Sequence, residues 1–376
     1  MLTVLLLLAT LFVAYSNGAN DNFKGVATLY GSDTATYSAA LALATAATFA
    51  GAVCSAWFAD TLVQAFSGKG LVPDSVAQSR DFLLSVAAGA GATVYLASLL
   101  GFPISTTHAL IGALAGTGWV AAGPQLNLAH LGVAFLTPLV IGPLLAVMLT
   151  VPFYRTLRGF AETLGIRRES CVCAGPAQLE PIRLRGAGAR SLAVAAAPPA
   201  PGFTVGTVGE CQSRYGGTLL GVSGQSLVDS LHYLSAGAVS FARGLNDTPK
   251  IVGLMLAAQA LEVRMSVLGV ATAMALGGLL GARKVALTMS KKITPMNDGQ
   301  ALAANLVTAF LVIIASRLGL PLSTTHVSVG AISGIGIANG SAHARVIKGI
   351  VASWVLTLPM AAAAGALTYT LLDAHL

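Results

Sequence analysis

Residues 101–113 read GFPISTTHALIGA, and residues 319–331 read GLPLSTTHVSVGA. A second pair accompanies them: Gly18-Ala19-Asn20-Asp21-Asn22-Phe23-Lys24 recurs as Gly244-Leu245-Asn246-Asp247-Thr248-Pro249-Lys250, with Gly, Asn, Asp and Lys at the same spacing. The two motifs follow one another in the same order and at similar separation, so the chain is an internal duplication. Each Ser-Thr-Thr-His copy comes after an apolar run ending in Gly-x-Pro. A helix has to break there, because proline lacks an N–H and drives the residue before it out of the helical region.

Around these motifs the sequence is overwhelmingly apolar. Of 376 residues, 55% are hydrophobic and 9% charged, and the mean hydropathy is +0.77. Near-neutral runs of that length are accommodated as membrane helices. Candidate spans cover 2–16, 34–60, 82–101, 103–120 and 131–152, then 219–242, 251–261, 265–282, 302–318, 322–339 and 346–371. The 42 glycines and 15 prolines, many inside apolar runs, suit close helix contacts and interrupted helices. Aromatic residues make up only 6%, which argues against a β-barrel with aromatic girdles. No Lys or Arg precedes the first apolar run and no small-residue cleavage site follows it, so residues 2–16 read as a retained helix, not a secretory signal. A formal charge of +7 would suggest nucleic acid in a soluble protein. Here the excess sits in loops, where it sets topology, and nucleic acid is excluded as a partner.

Between the two halves the composition changes. From Tyr154 to Gly216 the chain is polar and carries Arg155, Arg158, Arg167, Arg168, Arg183, Arg185, Arg190 and Arg214, together with the run AAAPPAPG. It reads as a cytoplasmic, partly disordered linker. The expected organisation is a first membrane repeat over 1–153, an Arg-rich linker over 154–216 and a second membrane repeat over 217–376. Loop charges then orient the repeats. Lys69 and Arg80 balance Asp74 and Asp81 in the loop 61–81, whereas its counterpart holds Arg283, Lys284, Lys291 and Lys292. The loop 121–130 carries no charge, while its counterpart at 338–348 contains Arg345 and Lys348. Positive residues mark the inner side, so the halves are inverted relative to each other, with both termini outside and the linker inside. The predicted fold class is all-α: a polytopic membrane protein of two inverted-topology repeats with broken or re-entrant helices. In such folds the site lies at the repeat interface.

The motifs carry the chemistry. Sixteen apolar residues of helix rise roughly 24 Å, less than the ~30 Å hydrocarbon core, which leaves Asn20 and Asp21 at membrane depth. Ionisable groups are costly there unless they serve an ion or substrate path. Asn20, Asp21, Asn246 and Asp247 offer carboxylates, amide carbonyls and freed backbone carbonyls to a cation. Ser105, Thr106 and Thr107, and their copies Ser323, Thr324 and Thr325, place hydroxyls and unpaired N–H groups in the first turn of a helix, a neutral cradle for a tetrahedral oxyanion. Lys24, Lys250 and Arg243 add positive charge.

Plainer readings stand beside these. Asp21 and Lys24 are three residues apart and can pair for packing alone, and Ser and Thr often serve helix packing in membranes. The matched repetition favours ligand contact for both motifs. His108 and His326 read as ligands, proton carriers or structural donors at a helix start. Cys171, Cys173 and Cys211 lack paired CxxC spacing and read as unpaired thiols, not a metal site. Cys54 and the Gly112-x-x-x-Gly116 pair read as packing, and Lys291 and Lys292 as topology determinants.

The doubled Gly-x-Asn-Asp and Pro-x-Ser-Thr-Thr-His motifs resemble the inorganic phosphate transporter (PiT) family, which includes sulfate permeases, over nearly the whole chain except the linker. The resemblance implies a secondary transporter of the cell membrane, a symporter or permease carrying phosphate together with Na+ or H+. It implies that Asn20, Asp21, Asn246 and Asp247 match the family's ion and phosphate motif, and that residues 105–107 and 323–325 match its phosphate-binding turns. The chain departs from the pattern after Asn-Asp: Lys24 and Lys250 replace a neutral residue in both halves, and an ammonium can take the electrostatic role of a bound monovalent cation. That departure leaves phosphate or sulfate, and Na+ or H+, open. Expected partners are the oxyanion and membrane lipid, with a homodimer as one candidate assembly; no metal and no cofactor beyond a coupling ion are expected. An intramembrane enzyme acting on a phosphorylated lipid competes less well, because no nucleophile–base pair is evident. An anion channel would be expected to carry rings of charge.

Overall fold

A computed structural model describes residues 1–58, 60–163, 170–175, 202–207, 222–257 and 262–374. It divides into two compact units, one formed by Met1–Arg155 with His232–Leu376 and the other by Thr156–Leu231.

Among its described residues the larger unit is built of helices joined by turns and short extended connections. The first half runs through α1 (Leu2–Asp21), a 3-10 turn (Asn22–Gly25), α2 (Ala27–Gly31), α3 (Tyr37–Phe58), α4 (Asp60–Ala65), α5 (Asp74–Ala77), α6 (Arg80–Leu100), α7 (Thr106–Ala122), α8 (Leu128–His130) and α9 (Thr137–Thr163). The second continues with α10 (Gly224–Ala257), α11 (Val263–Gly281), α12 (Arg283–Lys291), α13 (Asp298–Arg317), α14 (Thr324–Asn339) and α15 (Ala344–Asp373). Seven helical segments among the described residues are long and apolar enough to cross a membrane. Their outward faces carry Leu8, Trp57, Leu144, Met148, Val355 and Leu367, all exposed, as lipid contact requires. Cys54 lies half-buried on α3.

Two sequence expectations change. The first helix does not stop at Ser16: it continues to Asp21 and only then tightens into the 3-10 turn. The second copy is not broken into 219–242 and 251–261, because α10 passes straight through Asn246–Lys250 with Pro249 inside the helix. Polar residues mimic a helix end to a hydropathy count, yet stay helical when neighbouring elements satisfy them. Both halves nevertheless loosen just after the aspartate, one through the 3-10 turn and the other through a proline that removes a helical hydrogen bond. The full interruptions fall at the predicted Gly-x-Pro sites, between α6 and α7 and between α13 and α14. The helices after them, at 17 and 16 residues, are shorter than the roughly 20 residues of a full crossing.

Matched glycines set the helix approaches. A Cβ on Gly18 would lie 2.0 Å from the Met274 carbonyl oxygen of α11, and one on Gly244 would lie 2.1 Å from that of Thr48 in α3. Gly112 and Gly116 likewise meet the Leu358 and Ala362 oxygens of α15 at 2.4 and 2.1 Å, the helix contact expected of a GxxxG pair.

In the smaller unit, three short strands form an antiparallel sheet ordered β2-β1-β3: β1 is Ser170–Gly175, β2 Gly202–Thr207 and β3 Val222–Ser223. Val172 pairs with Val205 on one side and Val222 on the other. The sequence reading of 154–216 as a partly disordered linker named no strand at Ser170–Gly175 or Gly202–Thr207. Arg167, Arg168, Arg183, Arg185, Arg190, Arg214 and Cys211 lie outside the described residues.

Candidate functional site

The C-terminal end of α1 and the middle of α10 meet the two interrupted connections in a single polar cluster. Asn20, Asp21, Lys24, Asn246, Asp247, Lys250 and both Ser-Thr-Thr turns are at most 5% exposed. Burying so many polar groups is tolerable only if they satisfy one another.

They do so in matched fashion. Lys24 Nζ donates to Asn20 Oδ1 at 2.9 Å, to the Ile104 carbonyl at 2.6 Å and to Thr325 Oγ1 at 2.7 Å, and it is ion-paired with Asp21. Lys250 Nζ donates to Asp247 Oδ1 at 3.3 Å, to the Leu322 carbonyl at 2.7 Å and to Thr107 Oγ1 at 2.9 Å. Ile104 and Leu322 hold the same place after the two prolines. Each lysine thus binds its own half's aspartate and Pro-x carbonyl, then crosses to the threonine of the other half. The asparagines correspond too: Asn20 Nδ2 donates to Ser98 Oγ at 3.0 Å, and Ser316 Oγ donates to Asn246 Oδ1 at 3.2 Å.

The freed backbone carbonyls therefore come from the proline breaks and not from a break at Asn-Asp. Ser105 and Ser323 sit at the N-caps of α7 and α14, where their hydroxyls accept from the His108 and His326 amides at 3.2 Å. An N-cap has this geometry. Thr106 donates to Asp21 Oδ2 at 3.2 Å, and Thr324 is buried at the matching position.

Where the halves meet, Asn17 and Arg243 occupy equivalent places one residue before Gly18 and Gly244. Asn17 Nδ2 reaches Asp21 Oδ2 at 3.0 Å and Asp247 Oδ2 at 3.3 Å, so one amide links both carboxylates. Arg243 donates to Asn17 Oδ1 at 2.6 Å, Asn22 Oδ1 at 3.3 Å and Thr48 Oγ1 at 3.2 Å. Its Nε lies 3.6 Å from Asp247 Oδ2 and has no hydrogen-bond acceptor.

Asn17 was missed in the sequence. Its signal was available: aligning the copies at the motif glycine sets it against Arg243, and both are polar in apolar surroundings. A second unforeseen network joins Thr28 to His232 Nε2 at 3.1 Å and to Asn305 Oδ1 at 3.1 Å, with Asn305 donating to Ser235 at 3.3 Å.

The histidines sit beside the charged cluster. Their rings meet edge to face with centroids 4.3 Å apart, and His326 stacks on Trp354 at 3.8 Å. Both border an apolar cavity of about 500 Å³, and His326 Nδ1 lies 3.2 Å from the Leu139 carbonyl. Lys291 pairs with Asp33 at 2.6 Å away from the motifs. No cluster of three or more metal-ligating side chains occurs among the described residues.

These residues fall inside a family match covering residues 17–365, that of the phosphate transporter family. The chain belongs to this family. Among phosphate transporter relatives, an Arabidopsis thaliana protein named inorganic phosphate transporter 2-1, chloroplastic, is 28% identical over 96% of this chain and 70% of its own length. A Haemophilus influenzae protein designated a phosphate permease is 28% identical over 93% of this chain and 92% of its own. A solved structure described as the sodium-dependent phosphate transporter is similar over 100% of both chains with a TM-score of 0.74 at 23% identity, which shows a shared fold. The chain is a multi-pass membrane protein and not an enzyme.

Proposed function

We propose that the protein is a secondary transporter of inorganic phosphate, with sulfate as the alternative oxyanion for the same cradle, driven by a gradient of H+ or Na+ across the cell membrane. One observation carries this reading. The formally charged residues buried among the described ones are Lys24, Arg243 and Lys250 against Asp21 and Asp247: three cations, two carboxylates, an excess of one positive charge. An uncompensated charge in a low-dielectric interior is costly, and a bound oxyanion offsets it: dihydrogen phosphate cancels the excess, whereas a dianion such as sulfate overshoots it by one charge. Arg243 Nε supplies a donor without an acceptor, and the first turns of α7 and α14, at the positive ends of their helices, reach the same charged cluster through Thr107 and Thr325.

In this reading Asn20, Asp21, Asn246 and Asp247 hold the coupling ion, Lys24 and Lys250 supply positive charge for the anion, and Thr107 and Thr324 offer it hydroxyls, with Ser105, Thr106, Ser323 and Thr325 shaping the turns. The repeats, 1–153 and 217–376, are inverted, so rocking one against the other exposes the shared site to each side in turn. Both termini then lie outside and the segment 154–216 in the cytoplasm. The relatives named for phosphate transport support the choice of substrate.

Equilibrium binding of radiolabelled phosphate to the purified protein, with sulfate and chloride as competitors, tests the reading. Saturable phosphate binding, displaced weakly by sulfate and not by chloride, is expected. Tighter binding of sulfate would select the alternative, and binding of neither anion would overturn the proposal.

A further inference from the structure

The lysines have surroundings that an anion ligand would not need. Lys24 Nζ is partnered by oxygens of four groups: a carboxylate of Asp21, the amide carbonyl of Asn20, the backbone carbonyl of Ile104 and the hydroxyl of Thr325. Lys250 Nζ has a carboxylate from Asp247, the Leu322 carbonyl and the Thr107 hydroxyl. An ammonium has three donors and no acceptor, so four oxygens around Lys24 already exceed its hydrogen-bonding capacity. Such mixed oxygen shells, one carboxylate with neutral carbonyls and a hydroxyl, are the surroundings that hard metal cations select. Both shells take their last oxygen from the other half of the molecule, so a cation in each also ties the halves together. Lys24 and Lys250 are 2% and 1% exposed, so each ammonium sits within its oxygen shell away from solvent.

We infer that Lys24 and Lys250 are built-in cations that fill two monovalent-cation sites, so the oxyanion binds without Na+. The inference rests on the oxyanion reading of the site and deepens it. A tethered ammonium supplies the attraction that a bound ion would contribute, but it cannot be released on the far side. Na+ is therefore neither required for binding nor carried, and any coupling falls to H+.

The test uses the purified full-length protein and radiolabelled phosphate and sulfate, in sodium chloride and in choline chloride at equal ionic strength and pH. The wild type is expected to bind its anion with dissociation constants within about twofold of each other in the two media, less than the 1.4 kcal/mol that a tenfold difference represents. Lys24→Asn and Lys250→Asn vacate the shells. Each is expected to bind at least about tenfold more weakly in choline and to regain affinity as Na+ is added. Wild-type binding that needs Na+ overturns this inference while leaving the oxyanion reading intact. Folded variants that bind equally well in both media, or that no Na+ concentration restores, also overturn it. Where a variant does not fold, the wild-type comparison decides. Binding of neither anion in either medium overturns the oxyanion reading and this inference with it.

Discussion

Asp21 and Asp247 are joined through one amide, since Asn17 Nδ2 reaches both carboxylates. Two like charges brought this close are stable only because Lys24, Lys250 and Arg243 surround them. Neutralising one carboxylate removes an attraction for a lysine and also disturbs the partner half. Asp21→Asn and Asp247→Asn are each expected to lower phosphate uptake at least tenfold, about 1.4 kcal/mol or more, while leaving an inserted and folded protein. Near-normal uptake by either variant would remove that residue from the path. Asn17 plays a different part, because its Oδ1 accepts from Arg243 at 2.6 Å. Asn17→Ala strips a buried guanidinium of its shortest hydrogen bond and is expected to cost about 1–3 kcal/mol, read as a lower thermal midpoint in detergent; an unchanged midpoint would show the amide to be dispensable. The Asn-Asp pairs and the lysines were legible as a repeated motif. Asn17 emerges only when the copies are aligned by position at the motif glycine, because its counterpart Arg243 is a different residue type and identity between the copies does not reveal the pair.

At the scale of elements, the proline breaks are the features the sequence expressed most directly. Gly-x-Pro breaks the helix at both places, and α7 and α14 start three residues after Pro103 and Pro321. Ser105 and Ser323 then start those helices as N-caps. Ser323→Ala is expected to cost about 0.5–2 kcal/mol of stability, whereas Ser323→Gly costs only a few tenths, because glycine is tolerated at a cap. Equal midpoints for the two variants would argue against a capping role. Hydropathy misplaced the other boundary. It ended the first helix at Ser16 because the residues that follow are polar, yet Asn17, Asn20 and Asp21 stay helical by bonding to Thr106, Ser98 and Lys24. The contacts to Thr106 and Ser98 come from distant parts of the chain, and no local count contains them. The strands at Ser170–Gly175 and Gly202–Thr207 escaped for a related reason: they pair across an intervening segment whose composition carries no strand period.

At the scale of the molecule, the apolar composition was enough for a helical membrane fold, and the duplication was enough to bring the two motif pairs together. Charge distribution alone carries the proposed orientation, and a labelling experiment addresses it. In a chain freed of its four cysteines, Ser75→Cys is expected to react with an impermeant thiol reagent on intact cells, and Ala344→Cys only after permeabilisation. The reverse pattern would invert the assigned topology. The central claim is that the two halves build one oxyanion path around a buried positive excess. Its most direct test is radiolabelled phosphate uptake into proteoliposomes containing the wild type, Asp21→Asn or Asp247→Asn, against protein-free vesicles. The account predicts saturable uptake by the wild type and loss of it in each variant. Wild-type uptake no greater than that of empty vesicles, or uptake that survives both substitutions, would contradict it.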